Sequence, residues 1–272
     1  MGSPKRPWVI KLGGSMLDRL DQKWFNRLYT IYDGSPLILV HGGGKAIDAM
    51  LVALGGTPRY HRGLRVTDEA TLPVVQMVLS GKINPAIVGM MHMAGFQAIG
   101  VSGIDGGIVQ ARRTEEEGLG YVGHVVSINR ALLDVLLHRG YVPIVSPVSL
   151  STEGEYLNIN ADEVATALAL AYDARLWLLS DVPGIYITDE ATGEMRVTHE
   201  LNPERARALI RSGTISGGMI PKVEQAIQAL LQGVPEIFIM RGDDPDLLEK
   251  YVRGEIVGTR LKMDFSEPVG RS

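Results

Sequence analysis

Three places in the chain set glycine-rich backbone beside a lysine. They are Ile10-Lys11-Leu12-Gly13-Gly14-Ser15, Val40-His41-Gly42-Gly43-Gly44-Lys45 and Thr214-Ile215-Ser216-Gly217-Gly218-Met219-Ile220-Pro221-Lys222. The first two follow apolar runs with strand character, and the second and third open into helix-period sequence. Glycines at a helix N-terminus expose backbone N–H groups at the positive end of the helix dipole, which suits an anion. Lys45 and Lys222 would then stand in a first helical turn, where the dipole disfavours a cation by roughly 0.3–1 kcal/mol. Two cations so placed, each after a glycine cluster, point to a shared anionic ligand such as phosphate. The competing reading is a solvated lysine and a tight turn at each site.

Two other stretches carry candidate groups. Asn158-Ile159-Asn160-Ala161-Asp162-Glu163 precedes an apolar helical pattern, and Asn160 with Glu163 has capping-box spacing. The residues alone leave Asp162 open between a first-turn dipole partner and a chemical role. Gly63-Leu64-Arg65-Val66-Thr67 reads as the end of a hairpin. Its arginine is either an exposed surface group or a bidentate grip for a carboxylate.

Several chemistries are excluded. The chain has 272 residues and no cysteine, so disulfides, thiolate nucleophiles and Cys-held metals are ruled out. The six histidines include no His-x-x-x-His pair, which argues against zinc. G-x-x-x-x-G-K-[ST] does not occur, Ile47 breaks a G-x-G-x-x-G reading, and there is no G-x-S-x-G elbow. A net charge of −4 gives no general basic face for nucleic acid. The longest stretch without a formal charge, residues 83–104, holds Asn84, Pro85, His92 and four glycines. It reads as a buried helix running into a strand.

The elements that must position these groups alternate. Strands are expected at residues 8–12, 36–40, 97–101, 141–146, 175–179 and 236–240. Helices are expected at 45–54, 68–94, 129–139, 162–172, 203–212 and 221–232. Shorter hairpin pieces fall at 59–66, 107–113 and 155–159. Such alternation predicts an α/β three-layer sandwich with a central, mostly parallel sheet. Ligands then bind beyond the carboxyl ends of the strands, where the glycine clusters lie. Two lobes sharing one sheet, divided near residue 178, describe the chain better than two separate domains.

The motifs, in order, resemble the amino acid kinase family, and within it the branch that acts on N-acetyl-L-glutamate. The matching stretches are IKLGGS (10–15), LVHGGGKAID (39–48), GLRVTDEAT (63–71), GKIN (81–84), LNINADEVATALA (157–169), LLSDVPGI (178–185) and ISGGMIPKVEQA (215–226). The resemblance implies ATP-dependent phosphorylation of the γ-carboxylate of N-acetyl-L-glutamate in arginine biosynthesis, with Mg²⁺ carried by ATP. Lys11 and Lys222 match the lysines that stabilise the phosphoryl group in flight, and Asp162 the aspartate that orients both. Gly43, Gly44, Arg65 and Asn158 match acceptor-binding positions. Gly13 and Gly14 match nucleotide-binding positions, together with Asp181, Val182, Pro183, Gly184, Ile185 and Tyr186, and Thr214, Ile215 and Ser216. Residues 1–178 would form the lobe for acceptor binding and dimerisation, and 179–272 the ATP lobe, in a cytoplasmic homodimer.

Three departures from the family pattern stand out. Pro85 follows Asn84 where lysine is common, and should bend that helix. Tyr121-Val122-Gly123-His124 replaces a G-x-V-G-E pattern, and residues 237–242 (IFIMRG) replace an I-x-D-G-R run. Arginine-inhibited members carry an extra N-terminal helix. The segment with Gly2, Ser3, Pro4 and Pro7 is unsuited to one, so a dimer insensitive to arginine is expected. Two alternatives stay open: a kinase for a carrier-protein-linked aminoadipate or glutamate, and a non-catalytic sensor of amino acids or nucleotides. The His61–Thr67 stretch speaks against the first, and the joint presence of Lys11, Asp162 and Lys222 against the second.

Overall fold

The computed structural model describes residues 6–14, 16–188, 193–217 and 219–264. Ser15, Gly218 and the segment with Gly2, Ser3 and Pro4 lie outside the described residues. In chain order the strands are β1 (Trp8–Leu12), β2 (Leu37–His41), β3 (Tyr60–His61), β4 (Leu64–Arg65), β5 (Ala98–Ser102), β6 (Val109–Arg113), β7 (Val122–Ile128), β8 (Val142–Ser146), β9 (Val148–Ser151), β10 (Tyr156–Ile159), β11 (Arg175–Ser180), β12 (Ile185–Thr188), β13 (Met195–Thr198), β14 (Glu200–Leu201), β15 (Glu236–Arg241) and β16 (Thr259–Leu261). The helices are α1 (Gln22–Ile31), α2 (Gly44–Ala53), α3 (Thr71–Gln76), α4 (Asn84–Ala94), α5 (Ala131–His138), α6 (Ala161–Ala171), α7 (Pro203–Arg211), α8 (Met219–Leu231) and α9 (Pro245–Val252).

Eight strands form one sheet in the order β14-β16-β15-β11-β1-β2-β8-β5. Its pairs are parallel except β15 with β16. Successive residues of a strand face opposite sides, so the apolar run of β1 feeds two cores. Val9 joins Ile38, Leu176 and Ile237 on one face, under α5 to α8. Trp8, Ile10 and Leu12 join Trp177 and Phe238 on the other, under α1 to α4 and α9. The Trp177 and Phe238 rings stack at 4.3 Å across neighbouring strands. The three-layer α/β sandwich expected from the alternation is therefore present, with residue 178 inside β11 and the sheet continuous across it.

The sequence reading omits some elements. Helix α1 has Asp21 as its N-cap and buries Trp24, Phe25, Leu28 and Ile31; α9 and β16 are also additional. Strands β6, β7, β9 and β10 close into a small barrel rather than standing as separate hairpins. The expected disturbance at Pro85 takes the form of π-helical winding at Met77–Ile83, just before α4. Proline has no N–H to give the preceding turn, which favours such local rewinding. The stretch Thr71–Ala94 is long and apolar enough to cross a bilayer. In this fold it buries Val75, Val78, Leu79 and Ile87 in the core, and Asn84 is buried with its amide hydrogen-bonded.

Candidate active site

The carboxyl ends of β1 and β2 lie side by side, with Leu12 in register with His41, so the two glycine loops that follow them meet. A Cβ on Gly14 would sit 3.0 Å from both the Gly43 and Gly44 nitrogens. A Cβ on Gly13 would come 2.9 Å from the Leu179 carbonyl oxygen of β11. Glycine is needed here because backbone packs directly on backbone. Gly43 is the N-cap of α2 and offers no side-chain cap, so the first N–H groups of that helix are free to meet a ligand.

A cavity of about 480 Å³ opens in front of this crossing, with Lys11, Gly14, Gly43, Gly44, Arg65, Asn158 and Asp162 on its walls. The structure thus gathers into one place seven of the residues singled out in the sequence. Lys45 joins them.

Lys11 leaves the carboxyl end of β1 toward α6, and its Nζ lies 2.7 Å from Asp162 Oδ1. Asn160 caps α6 by accepting from the Asp162 N–H at 2.9 Å. The expected capping box does not form. Glu163 Oε1 instead accepts from the Val125 N–H at 2.7 Å, and Oε2 faces His124 Nδ1 at 3.2 Å. Strand β10 pairs with β7 only as far as Gly123, short of Val125, where the first turn of α6 supplies the carboxylate instead. His124, at one of the departures from the family pattern, is part of this contact.

Arg65 is not an exposed hairpin arginine. It is buried, and it donates from Nη1 to Asp48 Oδ1 at 2.6 Å and from Nη2 to the Gly44 carbonyl at 2.8 Å. The Tyr60 hydroxyl donates to Asp48 Oδ2 at 2.9 Å. Burial, with that hydrogen bond, pushes the Tyr60 hydroxyl above its ordinary pKa, against the pull of the Arg65 charge. Asn158 Nδ2 donates to Thr67 Oγ1 at 3.0 Å, so its amide is fixed from behind. Asp48, Tyr60 and Thr67 were missed as site residues. Asp48 had a signal, one helical turn beyond Gly44.

Behind the second loop, His41 is fully buried and its pKa is lowered to about 4, chiefly by desolvation. Its Nδ1 lies 2.9 Å from the Gly42 carbonyl and its Nε2 3.2 Å from Asn84 Nδ2. A carbonyl only accepts, so Nδ1 carries the proton and Nε2 accepts from Asn84.

The remaining candidates stand apart from this cavity. Lys222, in the first turn of α8, has its Nζ 3.5 Å from Asp181 Oδ1 rather than on Asp162. The Asp181 carboxyl is held below its usual range. Burial pushes it up, but its own backbone hydrogen bond and the charges of Lys222 and Arg19 pull it further down. Ile185 and Ile215 are core side chains, so only their backbone is available to a ligand. Val182, Pro183 and Tyr186 are half-buried, Gly184 is buried, and Thr214 hydrogen-bonds Ser212 beside an exposed Ser216.

The sequence profile of the amino acid kinase family matches residues 6–241. The chain is 42% identical over 261 residues to the acetylglutamate kinase of Brevibacillus brevis, covering 95% of this chain and 97% of that one. It is 43% identical over 236 residues to the acetylglutamate kinase of Geobacillus kaustophilus, covering 86% and 89%. Among solved structures, smu.665 from Streptococcus mutans superposes with a TM-score of 0.79 at 28% identity, covering 95% and 99%.

Proposed function

The chain belongs to the amino acid kinase family, and from that premise we propose that it phosphorylates N-acetyl-L-glutamate in arginine biosynthesis. The γ-carboxylate of the acceptor attacks the γ-phosphoryl of ATP in line, and the products are N-acetyl-L-glutamyl 5-phosphate and ADP. The observation that carries this reading is the composition of the cavity: an ammonium, glycine-loop N–H groups and a buried guanidinium share its walls.

A carboxylate is already a nucleophile and needs no general base. The work left to the protein is positioning and charge neutralisation. Lys11, held by Asp162, neutralises charge on the phosphoryl group as it moves. Lys222 supplies the second ammonium. Its pairing with Asp181 is half exposed and holds it weakly, which supports a side chain able to turn to phosphate. The N–H groups at Gly43 and Gly44 meet the reacting carboxylate. Arg65 anchors the α-carboxylate, and Asn158 the acetamido group. On the nucleotide side stand Gly13 and Gly14, the residues Asp181 to Tyr186 and the residues Thr214 to Ser216.

In this reading acceptor groups come from residues 1–178 and most nucleotide groups from 179–272, the two proposed lobes dividing within β11. The family resemblance supports a Mg²⁺ carried by the nucleotide phosphates, and no step here is routed through it. The family resemblance supports a cytoplasmic homodimer. An acyl phosphate is trapped by hydroxylamine as a hydroxamate, which tests the reaction type. Hydroxamate should accumulate only with both ATP and N-acetyl-L-glutamate present, and ADP release without it would refute carboxylate phosphorylation.

A further inference from the structure

The guanidinium of Arg65 is fastened to a helix. Its side chain is 6% exposed, and its Nη2 donates to the Tyr60 hydroxyl at 2.5 Å as well as to the Gly44 carbonyl. With the Nη1 bond to Asp48, three of its five N–H groups are used. The Nε–H and one Nη1–H remain. Asp48 and Gly44 lie one turn apart on the same face of α2, so the guanidinium is tied to that turn at two points. The residue whose carbonyl holds Arg65 is also the residue whose N–H opens the helix. One turn of backbone therefore fixes the spacing between the guanidinium and the glycine-loop N–H groups.

We propose that Asp48 and Tyr60 are the positioning residues for Arg65, and that by clamping it to the first turn of α2 they set the chain length of the acceptor. This rests on the reading of Arg65 and Gly44 as the two ends of the acceptor site. A dicarboxylate held at both ends must match the distance between its holders. A free arginine, with its several rotatable bonds, would follow a longer chain, whereas a guanidinium pinned by a carboxylate, a carbonyl and a hydroxyl would not. The glutamyl chain is then accepted, and a chain one methylene longer is penalised. Asp48 does this without touching substrate. Its carboxylate is committed to Arg65 and Tyr60.

The test measures kcat and KM for N-acetyl-L-glutamate and for N-acetyl-L-2-aminoadipate in the wild type, Asp48→Asn, Tyr60→Phe and Arg65→Lys. Both clamp variants keep the shape of the side chain: Asp48→Asn removes the charge that holds the guanidinium and leaves an amide, and Tyr60→Phe removes the hydroxyl. Asp48→Asn should raise KM for N-acetylglutamate about tenfold with kcat within about threefold, and lower the preference for the shorter acid at least about fivefold. Tyr60→Phe should move both in the same direction by less, and it carries the test if Asp48→Asn does not fold. An equal loss for both acids would mean a merely structural role and would overturn the proposal, as would an unchanged KM. If Arg65→Lys leaves KM for either acid unchanged, the assignment of Arg65 fails and the inference falls with it. A wild type inactive with N-acetylglutamate sinks the proposed function itself.

Discussion

The Lys11 ammonium lies 2.7 Å from the Asp162 carboxylate, reaching it from the end of β1 to the first turn of α6. The two side chains are 14% and 26% exposed, so the pair is partly withdrawn from water beside the cavity. A carboxylate in this position pins the ammonium where a phosphoryl group would pass. Lys11→Ala should therefore lower kcat by on the order of 10²–10³, with a much smaller change in KM. Steady-state kinetics at saturating ATP check this. Turnover near that of the wild type would remove Lys11 from the mechanism.

Lys222 differs in its resting partner. Its contact with Asp181 is long and half exposed, so breaking it costs little. Asp181→Asn should leave thermal stability within about 0.5 kcal/mol, whereas Lys222→Ala should reduce kcat on the order of 10²-fold or more. A Lys222→Ala enzyme with normal kcat and raised KM for ATP would make this lysine a ground-state nucleotide contact only.

Gly14 carries the close approach of the two loops. A methyl group there would press on the Gly43 and Gly44 nitrogens at 3.0 Å, and these are backbone atoms that cannot rotate away. Gly14→Ala should separate the loops by a fraction of an ångström. The expected losses are roughly 1–3 kcal/mol of stability and on the order of 10² in kcat/KM. Chemical denaturation and kinetics on the same preparation measure both. A fully active Gly14→Ala protein would contradict the packing described for this crossing.

His41 predicts a pH effect. Its folded pKa is about 4 against an ordinary value of 6.5, so the unfolded chain takes up this proton first on acidification. Its contribution is complete above pH 6.5 and is lost as pH falls toward 4, by about 3 kcal/mol in total. Urea unfolding at several pH values should show wild type losing stability over that window more steeply than His41→Asn. Equal slopes would mean that His41 is not buried and neutral.

How much of this was legible in the sequence follows from the range of each interaction. Strands of the sheet and the two glycine loops were readable because local apolar runs and adjacent glycines encode them. Arg65 was visible as a candidate, but its burial was not. Its partners Asp48 and Tyr60 come from another helix and from the facing strand of its own hairpin. The capping box at Asn160 and Glu163 was a sound local expectation, overridden because Val125 offered Glu163 an N–H across the fold. The barrel of β6, β7, β9 and β10 escaped notice for a similar reason, since it depends on parallel pairing of segments distant in sequence. Helix α1 was a different kind of miss: Asp21 and the spacing of Trp24, Phe25, Leu28 and Ile31 signal it in the sequence itself.

The most direct test of the central claim is the initial rate of ADP release at saturating MgATP with N-acetyl-L-glutamate, L-glutamate or no acceptor. N-acetyl-L-glutamate should drive rapid turnover. L-glutamate, whose ammonium cannot replace the acetamido group at Asn158, should show kcat/KM lower by on the order of 10² or more. ADP release that N-acetyl-L-glutamate fails to raise above the acceptor-free rate would contradict the account.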